Sequence, residues 1–205
     1  MIDLERLARA QQSLVEAGRV LHGAGKVPAT GGNFSMRLDD KHMAVTASGR
    51  HKGFLTPADI MVTDFACHPV GSTLKPSDEA RLHGQLYEDF PEAGAILHTH
   101  SRPSTLLSLL TAGSEVVVTG YELQKALEGV STHEARVVIP VFDNTQDIAA
   151  LAQVAHARLA GTESCAYLIR GHGIYTWARD MNACLRHVEA LDFLLDCELE
   201  MRRHR

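Results

Sequence analysis

The sequence predicts an α/β domain in which helices cover the faces of a mostly antiparallel sheet. Three observations carry this. Segments of helical and of strand periodicity follow one another irregularly, so the strict βαβ order of a parallel sheet is missing. The 205 residues hold no internal repeat, low-complexity tract or linker, which suits a single domain over residues 1–205. Hydrophobic residues make up 45% and charged residues 22%, the balance of a chain that buries a core rather than one that stays disordered.

The elements follow in order. A first helix is expected over residues 3–24, capped by Asp3, with Leu4, Leu7, Leu14, Val15 and Leu21 at helical spacing and Gly23, Gly25 and Pro28 ending it. TGGNFSMRL reads as a glycine turn running into a strand. HMAVTASG reads as a second strand meeting another glycine turn, and IMVTD (60–64) as a third. Residues 67–72 form a turn region. Pro76 and Ser77 then open a helix reaching about Asp89, with Ser77 as cap and Asp78 and Glu79 in the first turn, where negative charge is favoured. AILHTH (95–100) is a strand leading into a helix over 103–110. Further strands are expected over 115–119, 135–141 and 166–170, a helix over 145–159, and a final helix over about 180–201 with Leu185, Val188, Leu191, Leu195 and Leu199 on one face.

Charge and cysteine usage exclude several classes. The formal net charge is -5 and no Lys/Arg run suggests nucleic acid or a membrane surface. Arg202, Arg203 and Arg205 close a helical pattern, where cations complement the helix dipole. An anionic ligand must therefore be held by local geometry, because the global field opposes it. Cys67, Cys165, Cys184 and Cys197 form no CxxC pair and are expected reduced and mostly buried. Asp3 and Glu5 with no apolar run after them argue against a signal peptide, and no stretch approaches the roughly 20 apolar residues of a membrane span. A soluble cytoplasmic protein is expected.

The chemistry begins at His98-Thr99-His100. Side chains alternate along a strand, so both imidazoles face one side, roughly 6–7 Å apart at the backbone, within reach of one metal ion. Taken alone, the pair could equally be two unrelated surface histidines. Gly171-His172-Gly173 follows the apolar run AYLIR and puts a third imidazole at another strand end. Three histidines with an open position suit a catalytic rather than a structural metal site. Glu122, just past a β-rich segment, could turn back toward the metal as a proton-transferring carboxylate, or simply begin a helix. Glu79 carries the same ambiguity. Three small-residue turns, Thr30-Gly31-Gly32-Asn33, Ser48-Gly49 and Pro76-Ser77, offer backbone N–H groups and hydroxyls of the kind that cradle phosphate. Lys75 could add a point charge; Arg50 and Lys52 are further candidates or solvated side chains.

TGGNFS, TASG, KPSDE, HTHS and RGHG, in this order and at these separations, resemble the class II aldolase family of sugar-phosphate enzymes over nearly the whole chain. The resemblance implies a three-layer α/β/α fold with a central, mostly antiparallel sheet. It implies one divalent metal per subunit, zinc, on His98, His100 and His172. It also implies a homotetramer of fourfold symmetry with active sites near subunit interfaces. Within the family, GYELQKALEGVSTHEARVVIPVFDNTQDI and RGHGIYTWARDMNACLRHVEALDFLLDCELEM resemble the branch that dehydrates a methylthio-substituted ketose phosphate in methionine salvage. On that resemblance Glu122 is the catalytic acid/base, and Gly32, Asn33, Ser48, Gly49 and Ser77 bind the phosphate. Glu79 matches an acidic residue that acts as acid/base or reversible ligand, its role here open. Asp78 replaces the second serine of the aldolase turn, which argues against a plain aldolase. An aldolase or 4-epimerase acting on fuculose or ribulose phosphate, and a metal-binding interaction protein without activity, remain the alternatives.

Overall fold

The computed structural model describes residues 2–204; Met1 and Arg205, the last of the expected basic helix end, lie outside the described residues. In chain order the elements are α1 (Leu4–Gly23), β1 (Asn33–Arg37), β2 (His42–Thr46), β3 (Ile60–Asp64), α2 (Ala80–Asp89) and β4 (Ala95–Thr99). Then come α3 (Arg102–Leu110), β5 (Glu115–Val118), β6 (Val137–Phe142), α4 (Ile148–Leu159), β7 (Ala166–Ile169), β8 (Gly173–Ala178) and α5 (Met181–Arg203). Among the described residues eight strands form one sheet in the order β3-β2-β1-β4-β8-β7-β6-β5. Neighbours are antiparallel except β6 and β7, which run parallel. The long α4 connection makes that one parallel pair possible.

Strand alternation sorts the core into two layers. Ala95 and Leu97 of β4 point to the face covered by α1 and α5, together with Phe34, Ala44 and Ala178. Ile96 points to the opposite face, under Leu82, Leu86 and Tyr87 of α2 and Leu151 and Ala155 of α4. A third cluster joins Leu107 of α3 to Leu191, Leu194 and Leu195 of α5 over Val116, Ile139, Leu168 and Ile174. Helices thus cover both faces of the sheet, the α/β/α arrangement expected. Asp3 caps α1 as expected, accepting from the N–H groups of Glu5 and Arg6.

Several expectations shift. α2 begins at Ala80, not at Ser77, so Asp78 and Glu79 belong to the turn before it. Ser77 Oγ still accepts the Glu79 N–H, at 3.3 Å, but the cap closes a turn that aims Glu79 away from the helix. α4 begins at Ile148, behind an Asp147 cap whose carboxylate accepts the Ala150 N–H. The unexpected strand is β8: Gly173–Ala178 pairs with both β4 and β7. Of the cysteines, all free, Cys184 is buried while Cys67, Cys165 and Cys197 are half-buried, less enclosed than expected. Among the described residues no helix is long and apolar enough to cross a membrane.

Candidate active site

β4 is central in the sheet, and its C-terminal end carries the first two histidines. His98 lies opposite Asn33 of β1 and Tyr175 of β8, and is fully buried. Its ring stacks on Tyr175 with centroids 4.0 Å apart and planes at 13°. Its Nδ1 lies 3.0 Å from the Ile174 carbonyl, which can only accept, so Nδ1 carries the proton and Nε2 presents a lone pair. His100 follows the strand, its backbone N–H donating to the Lys26 carbonyl at 2.8 Å. His172 sits in the turn between β7 and β8. Helix α3 secures that turn: Ser108 Oγ accepts the Gly171 N–H and Thr105 Oγ1 donates to the His172 carbonyl. Gly32 passes against the same strand end. Its φ is +76° and a Cβ there would stand 2.5 Å from the His98 carbonyl oxygen, so no larger residue fits.

The three rings converge as their spacing anticipates. His98 Nε2 lies 2.8 Å from His100 Nε2 and 3.3 Å from His172 Nε2. Glu79 joins them, with Oε1 3.0 Å from His172 Nε2 and Oε2 3.7 Å from His98 Nε2. One donor atom from each of the four lies within 4.8 Å of the others. Burial, and next the nearby His100, hold His98 well below the usual imidazole range. Burial, and next His172, lower His100 to about 4. Burial alone would raise Glu79. Its hydrogen bond with His172, its electrostatic interactions with His98 and His172 and the Asn33 amide outweigh that and leave its carboxyl at about 2. A metal ion would take the place of the His172 Nε2 proton in that hydrogen bond, and three ring nitrogens and an ionised carboxylate would then face one point. The donor set therefore fits a divalent metal, and imidazole with carboxylate suits zinc, iron, nickel or manganese.

Behind Glu79 runs a buried hydrogen-bonded chain that the sequence reading missed. Asn33 Nδ2 donates to Glu79 Oε2 at 2.6 Å, and Asn33 Oδ1 faces His83 Nε2 at 2.5 Å. His83 Nδ1 meets Ser35 Oγ at 2.7 Å, and Ser35 Oγ meets the Tyr87 hydroxyl at 2.9 Å. The ionised carboxylate fixes every direction along it. Asn33 must turn its amino group to Glu79, so its oxygen accepts from His83 Nε2–H, and His83 Nδ1 accepts from Ser35. His83 is fully buried, and that burial lowers its pKa to about 3, so it stays neutral. The signal lay in spacing: Asn33 and Ser35 share a strand face, and His83 stands four residues after Glu79. Asn33 thus commits one amide N–H and its oxygen to this chain, which leaves its second amide N–H for a ligand in the cavity that it lines.

These groups open onto a cavity of about 610 Å³. Gly32, Asn33, Ser48, Gly49, Ser77 and Glu79 all line it, as expected for a substrate site, beside His100 and His172. Ser48 donates its N–H to the Lys75 carbonyl, so only its hydroxyl remains for a ligand. Asn144, Thr145 and Gln146, which the sequence reading passed over, form another wall. The charged candidates separate: Lys75 is exposed and off the cavity, Arg50 pairs with Asp59 at 3.2 Å, and Lys52 is buried and lines the cavity.

Glu122 is not brought to the histidines within this chain. It opens a 3-10 turn (Glu122–Ala126) after β5, at the far edge of the sheet, and does not line the cavity. Its side chain is 72% exposed and pairs with Lys125, with His133 at 4.0 Å. The hydrogen bond with Lys125 holds its carboxyl below the usual range. A turn back toward the metal is thus overturned for a single chain, because β6, β7 and β8 lie between β5 and β4.

Comparison with known proteins follows the same lines. The family model of the class II aldolase and adducin N-terminal domain matches residues 12–199. A methylthioribulose-1-phosphate dehydratase of Marinobacter nauticus is 53% identical over 207 residues, covering 100% of both chains. One of Hahella chejuensis is 52% identical, covering 99% of each. The crystal structure of L-fuculose-1-phosphate aldolase from Thermus thermophilus superposes with a TM-score of 0.76 at 25% identity, covering 96% of both chains.

Proposed function

Since the chain belongs to the class II aldolase and adducin family, we propose that it is a metal-dependent hydro-lyase of methionine salvage. It converts 5-methylthioribulose 1-phosphate to 5-methylthio-2,3-dioxopentyl 1-phosphate and water. The observation that carries this is the convergence of His98, His100, His172 and Glu79 on the cavity lined by the Gly32, Ser48 and Ser77 turns. The full-length identity to two dehydratases supports the choice among reactions open to such a site.

His98, His100 and His172 would hold one divalent ion, zinc. When bound, it supplies Lewis acidity that polarises the substrate's C2 ketone and so acidifies the C3 hydrogen. The small-residue turns hold the phosphate and orient C3 and C4. A carboxylate removes the C3 proton; the C4 hydroxyl departs as water, taking a proton from that same group; the resulting enol tautomerises to the diketone. Glu122 is that carboxylate. It lies off the cavity of its own chain, so it acts from a neighbouring copy in a homotetramer whose sites lie at subunit contacts, in the cytoplasm. Residues 1–205 act as one catalytic domain. A second reading rests on Glu79, the carboxylate already at the histidines, which would transfer the proton within one chain.

Incubation with 5-methylthioribulose 1-phosphate should give a product one water lighter with its carbon skeleton intact, and a chelator should abolish it. Release of dihydroxyacetone phosphate would instead mark an aldolase.

A further inference from the structure

The cavity has a charge problem that none of the expected phosphate residues solves. Its lining holds two carboxylates, Asp78 and Glu79, and the expected phosphate groups are neutral turns. Among the described residues Lys52 is the one lysine or arginine that lines it. Lys52 is only 2% exposed. Its ammonium donates to two carbonyls, those of Thr30 and Arg50, each at 2.7 Å. An ammonium has three donors, so one is left over. Among the described residues no carboxylate forms an ion pair with it. Burying a cation without a partner anion costs several kcal/mol, and a fold that tolerates this has a use for the charge. Burial lowers the Lys52 pKa to about 8, opposed by Glu79, and the ammonium form still prevails at neutral pH.

Its placement is equally specific. The Thr30 carbonyl belongs to the Gly31-Gly32 turn and the Arg50 carbonyl follows the Ser48-Gly49 turn, so one ammonium ties together two of the turns that face the ligand. We propose that Lys52 supplies the fixed positive charge for the substrate's phosphate, receiving one of its oxygens with the third N–H while holding the two turns at the right separation. This rests on the sugar-phosphate reading and adds the residue that balances the anion's charge there. A dianion entering the cavity gains an ionic hydrogen bond, and Lys52 gains the counter-charge it lacks.

Inorganic phosphate is the probe, titrated into the metal-loaded full chain by calorimetry. Lys52→Gln should weaken phosphate binding about 10-fold or more, the usual scale for a hydrogen bond to a charged group, whereas Lys52→Arg should keep most of it. Equal affinity in the wild type and Lys52→Gln would overturn this inference alone. No phosphate binding to the wild type would overturn the sugar-phosphate reading along with it. If Lys52→Gln does not fold, a phosphate soak of wild-type crystals reads the same contact. A phosphate oxygen within about 3.2 Å of Lys52 Nζ is expected, and phosphate bound in the cavity away from Lys52 would contradict the proposal.

Discussion

Glu79 and His83 are linked through one amide, and the link makes the site's acid limit a property of particular side chains. Asn33 gives its amino group to Glu79 and accepts the His83 Nε2 proton, which leaves the neutral His83 ring to accept from Ser35 through Nδ1. The fold lowers His83 to about 3 and His100 to about 4, in both cases chiefly by burial, so each refuses a proton that the unfolded chain accepts near the ordinary imidazole value of 6.5. A depressed folded pKa gives stability that is present above the unfolded value and lost as pH falls. Chelator-treated protein should therefore lose stability from about pH 6.5 downward, by up to about 1.4 kcal/mol per pH unit for each such group. Glu79, at about 2, adds a further loss below its ordinary value of 4.5. Thermal melts at pH 8, 6 and 4.5 check this, and a flat profile would mean the imidazoles titrate normally. The convergence of His98, His100 and His172 was legible because strand alternation and a glycine-flanked strand end are local signals. Lys52 was a candidate that the sequence left undecided against a solvated side chain, because its burial depends on α1 folding over it from more than thirty residues away.

Among the elements, α1 and the short 3-10 turn at Lys52–Phe54 show how closely the parts fit. A Cβ on Gly18 would lie 2.2 Å from the Lys52 carbonyl oxygen, so the helix packs backbone to backbone on the segment that carries the buried ammonium. Gly18→Ala in an ordinary helix would gain about 0.5–1 kcal/mol from backbone entropy, but overpacking costs about 1–3, so a net loss of about 1–2 kcal/mol is expected. Urea denaturation measures it, and a stabilised variant would show that the contact is looser than its geometry. Most elements were readable from periodicity, including β4 with its histidines. β8 was overlooked although Gly173–Ala178 is rich in β-branched and aromatic residues, because the turn at His172 drew the reading toward a loop. The start of α2 shifted because a turn precedes it, and that turn places Glu79 against the histidines.

For the whole molecule, the question is how a carboxylate at one edge of the sheet serves a cavity at the end of its central strand. If neighbouring copies join the two, the chain of 22.4 kDa runs in solution as a species of about 90 kDa, four times that mass. His98→Ala and Glu122→Gln should each be inactive alone. Mixed after reversible dissociation, they should regain a fraction of wild-type turnover, since some sites then combine intact histidines from one copy with an intact Glu122 from another. An active Glu122→Gln homotetramer would move the proton transfer to Glu79. Assembly entered the sequence analysis only through the family resemblance, because an exposed carboxylate carries no local sign of a partner chain.

On the reading proposed for this site, His98, His100 and His172 hold a single divalent ion beside Glu79. Anomalous diffraction from crystals of the metal-loaded protein, collected at the edge of the metal found by elemental analysis, tests it most directly. One peak per chain, about 2.0–2.1 Å from the Nε2 atoms of all three histidines for zinc, is the expected result. A peak elsewhere, or His172 turned away with no ion between the rings, would contradict it.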